Sequence, residues 1–246
     1  STTPLIASGL TIFVGLIITP VLIKGLFGFP KLGIIGPAIA TTCGFMSVLF
    51  FLYNYLKRKE HPLRLCPELI QNIRYQPELT RLILKLGIPT GVQMVTNSVA
   101  ALVIIGLINQ YGSHATAAYG AVNQVLNYIQ FPALSISIAA SIFAAQAIGA
   151  GKSDSLSKVT RTALWMNIII TGSLITLAYL FSKYLMAMFI TDPAVIERGQ
   201  QLLFLVVWSI LFFGASAIFA SIMRSSGTVL MPMLINIFAI VLIEVP

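Results

Sequence analysis

Few side chains in this chain can do chemistry, and most of those lying in apolar surroundings are neutral. Seven Asp and Glu residues are spread over 246 positions, and Glu244 alone falls within a long apolar run. An ionised carboxylate at mid-membrane costs on the order of 3 kcal/mol, so Glu244 there is protonated, paired or hydrated, as a proton or cation site would be. Placed near the outer headgroups it is instead an ordinary solvated carboxylate. The uncharged candidates are Gln93, Asn97, Asn123, Gln124, Asn127, Gln130, Asn167 and Asn236. Gln93 and Asn97 are four apart, as are Asn123 and Asn127, so each pair shares a helix face. Such rows suit a hydrated cavity, and they suit hydrogen bonding between helices equally well.

Other chemistry finds little footing. Cys43 and Cys66 have neither CxxC spacing nor a His pair, so neither a metal site nor a disulfide is expected. His61 and His114 read as solvent-facing loop residues, and no nucleophile–base constellation marks an enzyme. Gly149-Ala150-Gly151-Lys152 ends like a phosphate-binding loop, but the first glycine of that pattern would fall at Gln146. A turn at the end of a membrane span is the better reading.

These residues must be positioned by apolar helices. The chain is 57% hydrophobic and 9% charged, where a soluble domain carries about a quarter charged residues. About 20 apolar residues cross a bilayer as a helix. Seven runs approach this: 4–23, 33–56, 86–108, 118–148, 163–188, 202–223 and 231–246. Most lack the period-2 alternation of an outer-membrane barrel, so helical spans are expected. The expected class is an all-α polytopic membrane protein of about seven spans. Pro20, Pro89 and Pro132 are candidate hinges, since proline frees a backbone carbonyl. Gly87 and Gly91 permit close helix approach. Met94, Met166, Met186, Met188 and Met223 offer adaptable apolar surface, or simply fill space.

Basic residues gather in alternate gaps. Lys57, Arg58, Lys59, Arg64, Arg74, Arg81, Lys85, Lys152, Lys158, Arg161 and Arg224 lie on one side, against Lys24, Lys31, Lys183 and Arg198 on the other. The positive-inside rule makes gaps 57–85, 149–161 and 224–230 cytoplasmic. A basic face beside anionic lipid accounts for the net charge of +8, so no nucleic-acid partner is needed. Pro-broken and amphipathic, 57–85 reads as a connector between two bundles, 1–56 and 86–246. The chain opens on Ser1 without an initiator Met and closes inside an apolar run, as expected of an internal piece of a larger protein.

Several segments then resemble multidrug and toxic compound extrusion (MATE) transporters. Leu86-Gly87-Ile88-Pro89-Thr90-Gly91-Val92-Gln93 resembles the opening of the seventh helix of that family. Ala117-Ala118-Tyr119-Gly120, Pro132-Ala133-Leu134-Ser135 and Gln146-Ala147-Ile148-Gly149-Ala150-Gly151-Lys152 resemble the next helix in order. Met223-Arg224-Ser225-Ser226-Gly227-Thr228 is similar to the link between the tenth and eleventh, and Gly33-Ile34-Ile35-Gly36-Pro37-Ala38 to the start of the sixth. The resemblance places the chain over the fifth to eleventh of twelve helices.

It implies export of organic, often cationic and lipophilic compounds in exchange for Na⁺ or H⁺. It further implies alternating access between two bundles in the inner membrane, a monomer, and no cofactor beyond the coupling ion. In one branch of the family, acidic residues on the seventh and tenth helices hold that ion. Asn97 stands at the first of these positions here, and 202–223 has no acidic residue, so such a site is not expected. A related lipid-linked oligosaccharide flippase is an alternative, opposed by the lack of Lys or Arg well inside a span. A seven-helix receptor is a further one, suggested only by the span count.

Overall fold

The computed structural model describes residues 2–25, 31–59, 76–152 and 154–244. His61, Cys66 and most of the connector lie outside the described residues. Every regular element among the described residues is helical. The chain divides into two compact units, 1–76 and 77–246.

The first unit is a pair of helices, α1 (Thr2–Lys24) and α2 (Ile35–Arg58). They meet along small residues. A Cβ at Gly36 would come within 3.2 Å of Ile23, and one at Gly44 within 3.2 Å of Thr11. Ala7, Leu22 and Ala40 are buried at this seam. Hydroxyls bond back along their own helix, Thr11 to the Ala7 carbonyl at 3.2 Å and Ser47 to that of Cys43 at 2.8 Å, so they need no water. Pro20 lies inside α1.

The second unit comprises α3 (Pro77–Asn109), α4 (Ser113–Gly149), α5 (Asp154–Leu180), α6 (Ser182–Ala187), α7 (Pro193–Val206), α8 (Ser209–Ser225) and α9 (Leu230–Ala239). A wide π-helical turn, Ile240–Glu244, continues α9. Helix α4 is central, packing against α3, α5, α7 and α8. Its buried stripe runs through Ala118, Ala121, Val125, Ile129, Ala133, Ser137, Ala140 and Ala144, three or four residues apart. Mostly small side chains there let neighbouring backbones approach closely. Val125 and Ile129 join Ile175, Met186, Leu203 and Val207 in one apolar core.

Several boundaries differ from the apolar runs. Helix α3 begins at Pro77, so 77–85 is helix where the sequence suggests connector. Leu79 and Leu82 alternate there with Glu78, Arg81 and Lys85, and an amphipathic turn extends a helix beyond its apolar stretch. Helix α7 likewise begins at Pro193, capped by Asp192 accepting from the Ala194 N–H at 3.0 Å, which brings Glu197 and Arg198 from an expected gap onto a helix. The run 163–188 is broken at Phe181 between α5 and α6. The run 202–223 is bent by 43° between α7 and α8. Five described helices are long and apolar enough to cross a membrane, and the bent α7–α8 pair makes a sixth if it forms one span. The expected seventh is a shorter apolar helix over Leu230–Ile243.

The glycine turn after α4 is a helix stop. Lys152 N–H reaches the Ala147 carbonyl at 2.9 Å and Gly151 N–H that of Ile148 at 3.0 Å, with Gly151 at φ 69°. This is a Schellman motif, in which glycine alone takes the left-handed backbone without strain. The same pattern ends α8, where Thr228 N–H bonds the Met223 carbonyl and Gly227 N–H that of Arg224, both at 3.0 Å, with Gly227 at φ 85°.

Candidate functional site

In the second unit, α3 and α4 carry most of the polar candidates. On α3, Gln93 is half-buried and Asn97, one turn on, is exposed. The last turn of α8 brings Arg224 to Gln93, its Nη1 donating to Oε1 at 3.4 Å across 131 positions of sequence. Arg224 thus belongs to a helix and not to the gap that follows it. On α4, Asn123 and Gln130 are half-buried, and Gln124 and Asn127 are exposed. Gln124 Nε2 donates to the Tyr128 hydroxyl at 3.3 Å. Asn123, Asn127 and Gln130 follow one side of the helix, and their side chains, like that of Asn97, make no hydrogen bond among the described residues. Neutral amides left open in this way can hydrate a path or accept from a cationic group.

Two other amides behave differently. Asn167 on α5 is 1% exposed, donates Nδ2 to the Leu211 carbonyl of α8 at 3.2 Å and accepts from Thr171 Oγ1 at 3.0 Å. A Cβ on Gly214 would collide with it, so a glycine is what lets α8 come this close. Asn167 is therefore a helix–helix bond. Asn236 on α9 is half-buried, and its Oδ1 is buried without a partner among the described residues. An unpaired buried acceptor costs about 1–3 kcal/mol. Glu244 ends the π-helical turn, a wide turn often found at functional positions, but its side chain lies outside what is described.

The candidate hinges Pro20, Pro89 and Pro132 all lie inside continuous helices. The 43° break between α7 and α8 contains no proline. Side chains satisfy its freed carbonyls instead. Tyr179 hydroxyl donates to the Phe204 carbonyl at 2.7 Å and accepts from Trp208 Nε1 at 2.9 Å, while Ser209 Oγ donates to the Val206 carbonyl at 2.6 Å. The Tyr179 ring stacks on Phe204 with centroids 4.6 Å apart. Only the pairing of Trp208 with Ser209 inside an apolar run hints at this in the sequence.

At the other end of the unit from Arg224, His114 stands in the first turn of α4 and not in the loop that the sequence suggests, and its Nδ1 lies 3.4 Å from Asp192 Oδ2, tying the start of α4 to the cap of α7. His114 therefore has a partner that its sequence neighbourhood does not reveal. Met186 is fully buried, with its sulfur 3.0 Å from where a Gly199 Cβ would stand, so it fills a close helix contact. Met94, Met166 and Met188 are exposed. No group of three or more His, Cys, Asp or Glu able to hold a metal ion occurs among the described residues.

The MatE family model matches residues 89–246. The chain is 44% identical over all of its length to a probable multidrug resistance protein, YoeA, of Bacillus subtilis, covering 53% of that protein. It is 25% identical over 99% of its length to an FAD transporter of Shewanella oneidensis, again covering 53%. The chain thus spans about half the length of these relatives. Among solved structures, an outward-facing multidrug resistance MATE family transporter of the MOP superfamily superposes with a TM-score of 0.86 at 16% identity, over 98% of this chain and 52% of that one. That likeness concerns the fold, which both share at low identity. The family match and the identity to YoeA rest on the sequence itself, and together they show that the chain belongs to the MatE family.

Proposed function

We propose that the full-length protein exports organic, often cationic and lipophilic compounds in exchange for Na⁺ or H⁺, by alternating access between two helical bundles in the inner membrane. The observation that carries this is the 44% identity, along the whole chain, to a protein named for multidrug resistance. The open amides Asn97, Asn123 and Asn127 support it, since a path for varied cargo needs polar groups not committed to neighbouring helices. Gln93, Gln124 and Asn236 belong to the same proposed pathway. Pro89 and Pro132 lend bending to the helices that carry it, and Pro20 does the same in the first bundle. Glu244 is the proposed protonatable coupling group.

Cargo and ion each bias one two-state equilibrium by binding the inward and outward forms unequally. Residues 1–56 contribute to one bundle and 86–246 to the other, joined by the cytoplasmic connector 57–85. The protein acts as a monomer in lipid, with 149–161 and 224–230 also facing the cytoplasm. The test is export of a fluorescent cationic dye by cells expressing the full-length gene. Export that does not depend on the gene, with the protein present in the membrane, rejects the reading.

A phosphate-bearing cargo, such as a lipid-linked oligosaccharide, is the second reading. Two observations favour it: Arg224 reaches a residue inside the apolar run of α3, and one relative is named as an FAD transporter. Gene-dependent movement of a phosphorylated lipid across reconstituted vesicles, with no dye export, would select it. A seven-helix receptor draws no support from membership of the MatE family.

A further inference from the structure

Among the described residues of the second unit, Arg224 is the basic residue whose side chain hydrogen-bonds to a residue within an apolar run. Its partner Gln93 lies seven residues beyond Leu86, where that run begins. At the helical rise this is about 10 Å along the apolar stretch. Arg224 is half-buried, and its only hydrogen-bond partner among the described residues is the neutral Gln93 Oε1, at 3.4 Å. The single ion pair among the described residues joins His114 to Asp192, at the other end of the unit, so among the described residues no carboxylate neutralises Arg224.

A guanidinium cannot shed its proton to escape this setting. An unpaired cation costs on the order of 3 kcal/mol at the bilayer centre and less toward a helix end such as that of Arg224, so a counter-ion there is favourable. The Gln93 bond engages one face of a group that has five donors, and leaves the rest of its planar fork for a second ligand. A fork of that shape fits two oxygens of one phosphate. The approach is also basic. Arg81 and Lys85 are exposed on α3 and stand twelve and eight residues before Gln93, in the i, i+4 row that leads to it.

We infer that Arg224, held in orientation by Gln93, is a binding site for a phosphate group. The phosphate belongs either to an anionic phospholipid of the cytoplasmic leaflet or to a free phosphate-bearing molecule. The two sources share their chemistry and differ in the tail that follows the phosphate. A lipid places its acyl chains against the exposed apolar surface of α3, which includes Ile88 and Val92. Arg81 and Lys85 draw the anion in by charge alone, and Arg224 fixes it.

The experiment uses the full-length protein in neutral detergent. Binding of phosphatidylglycerol, phosphatidylcholine and inorganic phosphate is measured by native mass spectrometry and by thermal unfolding, for wild type, R224Q, R224K and K158Q. Exposed Lys158 on α5 serves as a control of equal charge change. The expected result is phosphatidylglycerol bound in preference to phosphatidylcholine, about tenfold or more weaker in R224Q and little changed in K158Q. Loss of that preference with no response to inorganic phosphate assigns the site to lipid. An Arg224-dependent response to inorganic phosphate assigns it to a free phosphate group. Equal losses in R224Q and K158Q would show a diffuse basic surface and overturn the site, as would no binding to wild type at all. Should R224Q not fold, R224K keeps the charge without the fork, and wild-type affinity in R224K overturns the inference.

Discussion

Asparagine in an apolar run means two different things in this chain, and what lies across the helix interface decides which. Asn167 meets the Leu211 carbonyl and Thr171, and is buried. Asn97 and Asn127 meet nothing of the kind among the described residues and are exposed. The consequences separate cleanly. Asn167→Ala leaves the Leu211 carbonyl and the Thr171 hydroxyl short of a partner and lowers stability by about 1–3 kcal/mol, read as a fall in the thermal unfolding midpoint in detergent. Asn127→Ala leaves the midpoint unchanged and reduces dye export by the full-length protein. A fall in stability for Asn127→Ala, with export per folded molecule unaltered, would return that residue to a packing role. For Glu244 the proposed role is tested by pH. Glu244→Gln cannot titrate, so the pH dependence of export flattens if the carboxyl is the coupling group, and an unaltered profile assigns coupling elsewhere.

At the scale of elements, the α7–α8 break is the feature that apolar content conceals. Hydropathy reads 202–223 as one run because each residue there partitions into lipid whether or not the backbone bends. The bend depends instead on carbonyls that find partners outside the helix ladder, chiefly Phe204 through Tyr179 and Val206 through Ser209. Tyr179→Phe keeps the ring that stacks on Phe204 and removes the hydroxyl that serves both Phe204 and Trp208. The expected outcome is a loss of about 1–3 kcal/mol in unfolding stability and faster amide hydrogen exchange confined to 204–209. Exchange that is unchanged there would mean that the break does not rely on Tyr179. The early starts of α3 and α7 have a related cause. Capping and amphipathic periodicity extend a helix past the point where its composition stops being apolar.

For the whole molecule, the turns of the second unit sort into two ends. Arg224 and the two Schellman turns, at 149–152 and 225–228, lie toward the end from which α3 departs. The starts of α4 and α7 are joined at the other by His114 and Asp192. Basic residues favour the first end, which the positive-inside rule assigns to the cytoplasm. In a full-length background with native cysteines replaced, Lys152→Cys and Thr228→Cys are therefore labelled by an impermeant thiol reagent only after the cells are opened. Ser113→Cys is labelled in intact cells. The reverse pattern would invert the topology and place the proposed phosphate site in the outer leaflet.

The amino-acid sequence by itself determined the solvent, the helical class, the expected sidedness and, through its motifs, the family resemblance. Partition into lipid is close to a sum over residues, and charge bias is a count over gaps, so neither needs a partner residue to be known. Only the tertiary structure decided that Asn167 is a bond between helices, that Arg224 belongs with Gln93, that His114 belongs with Asp192, and that a tyrosine from α5 holds a break in the next long span. Each of these is a contact across tens of residues or more. What such a contact is worth depends on burial and geometry that the neighbouring sequence does not encode.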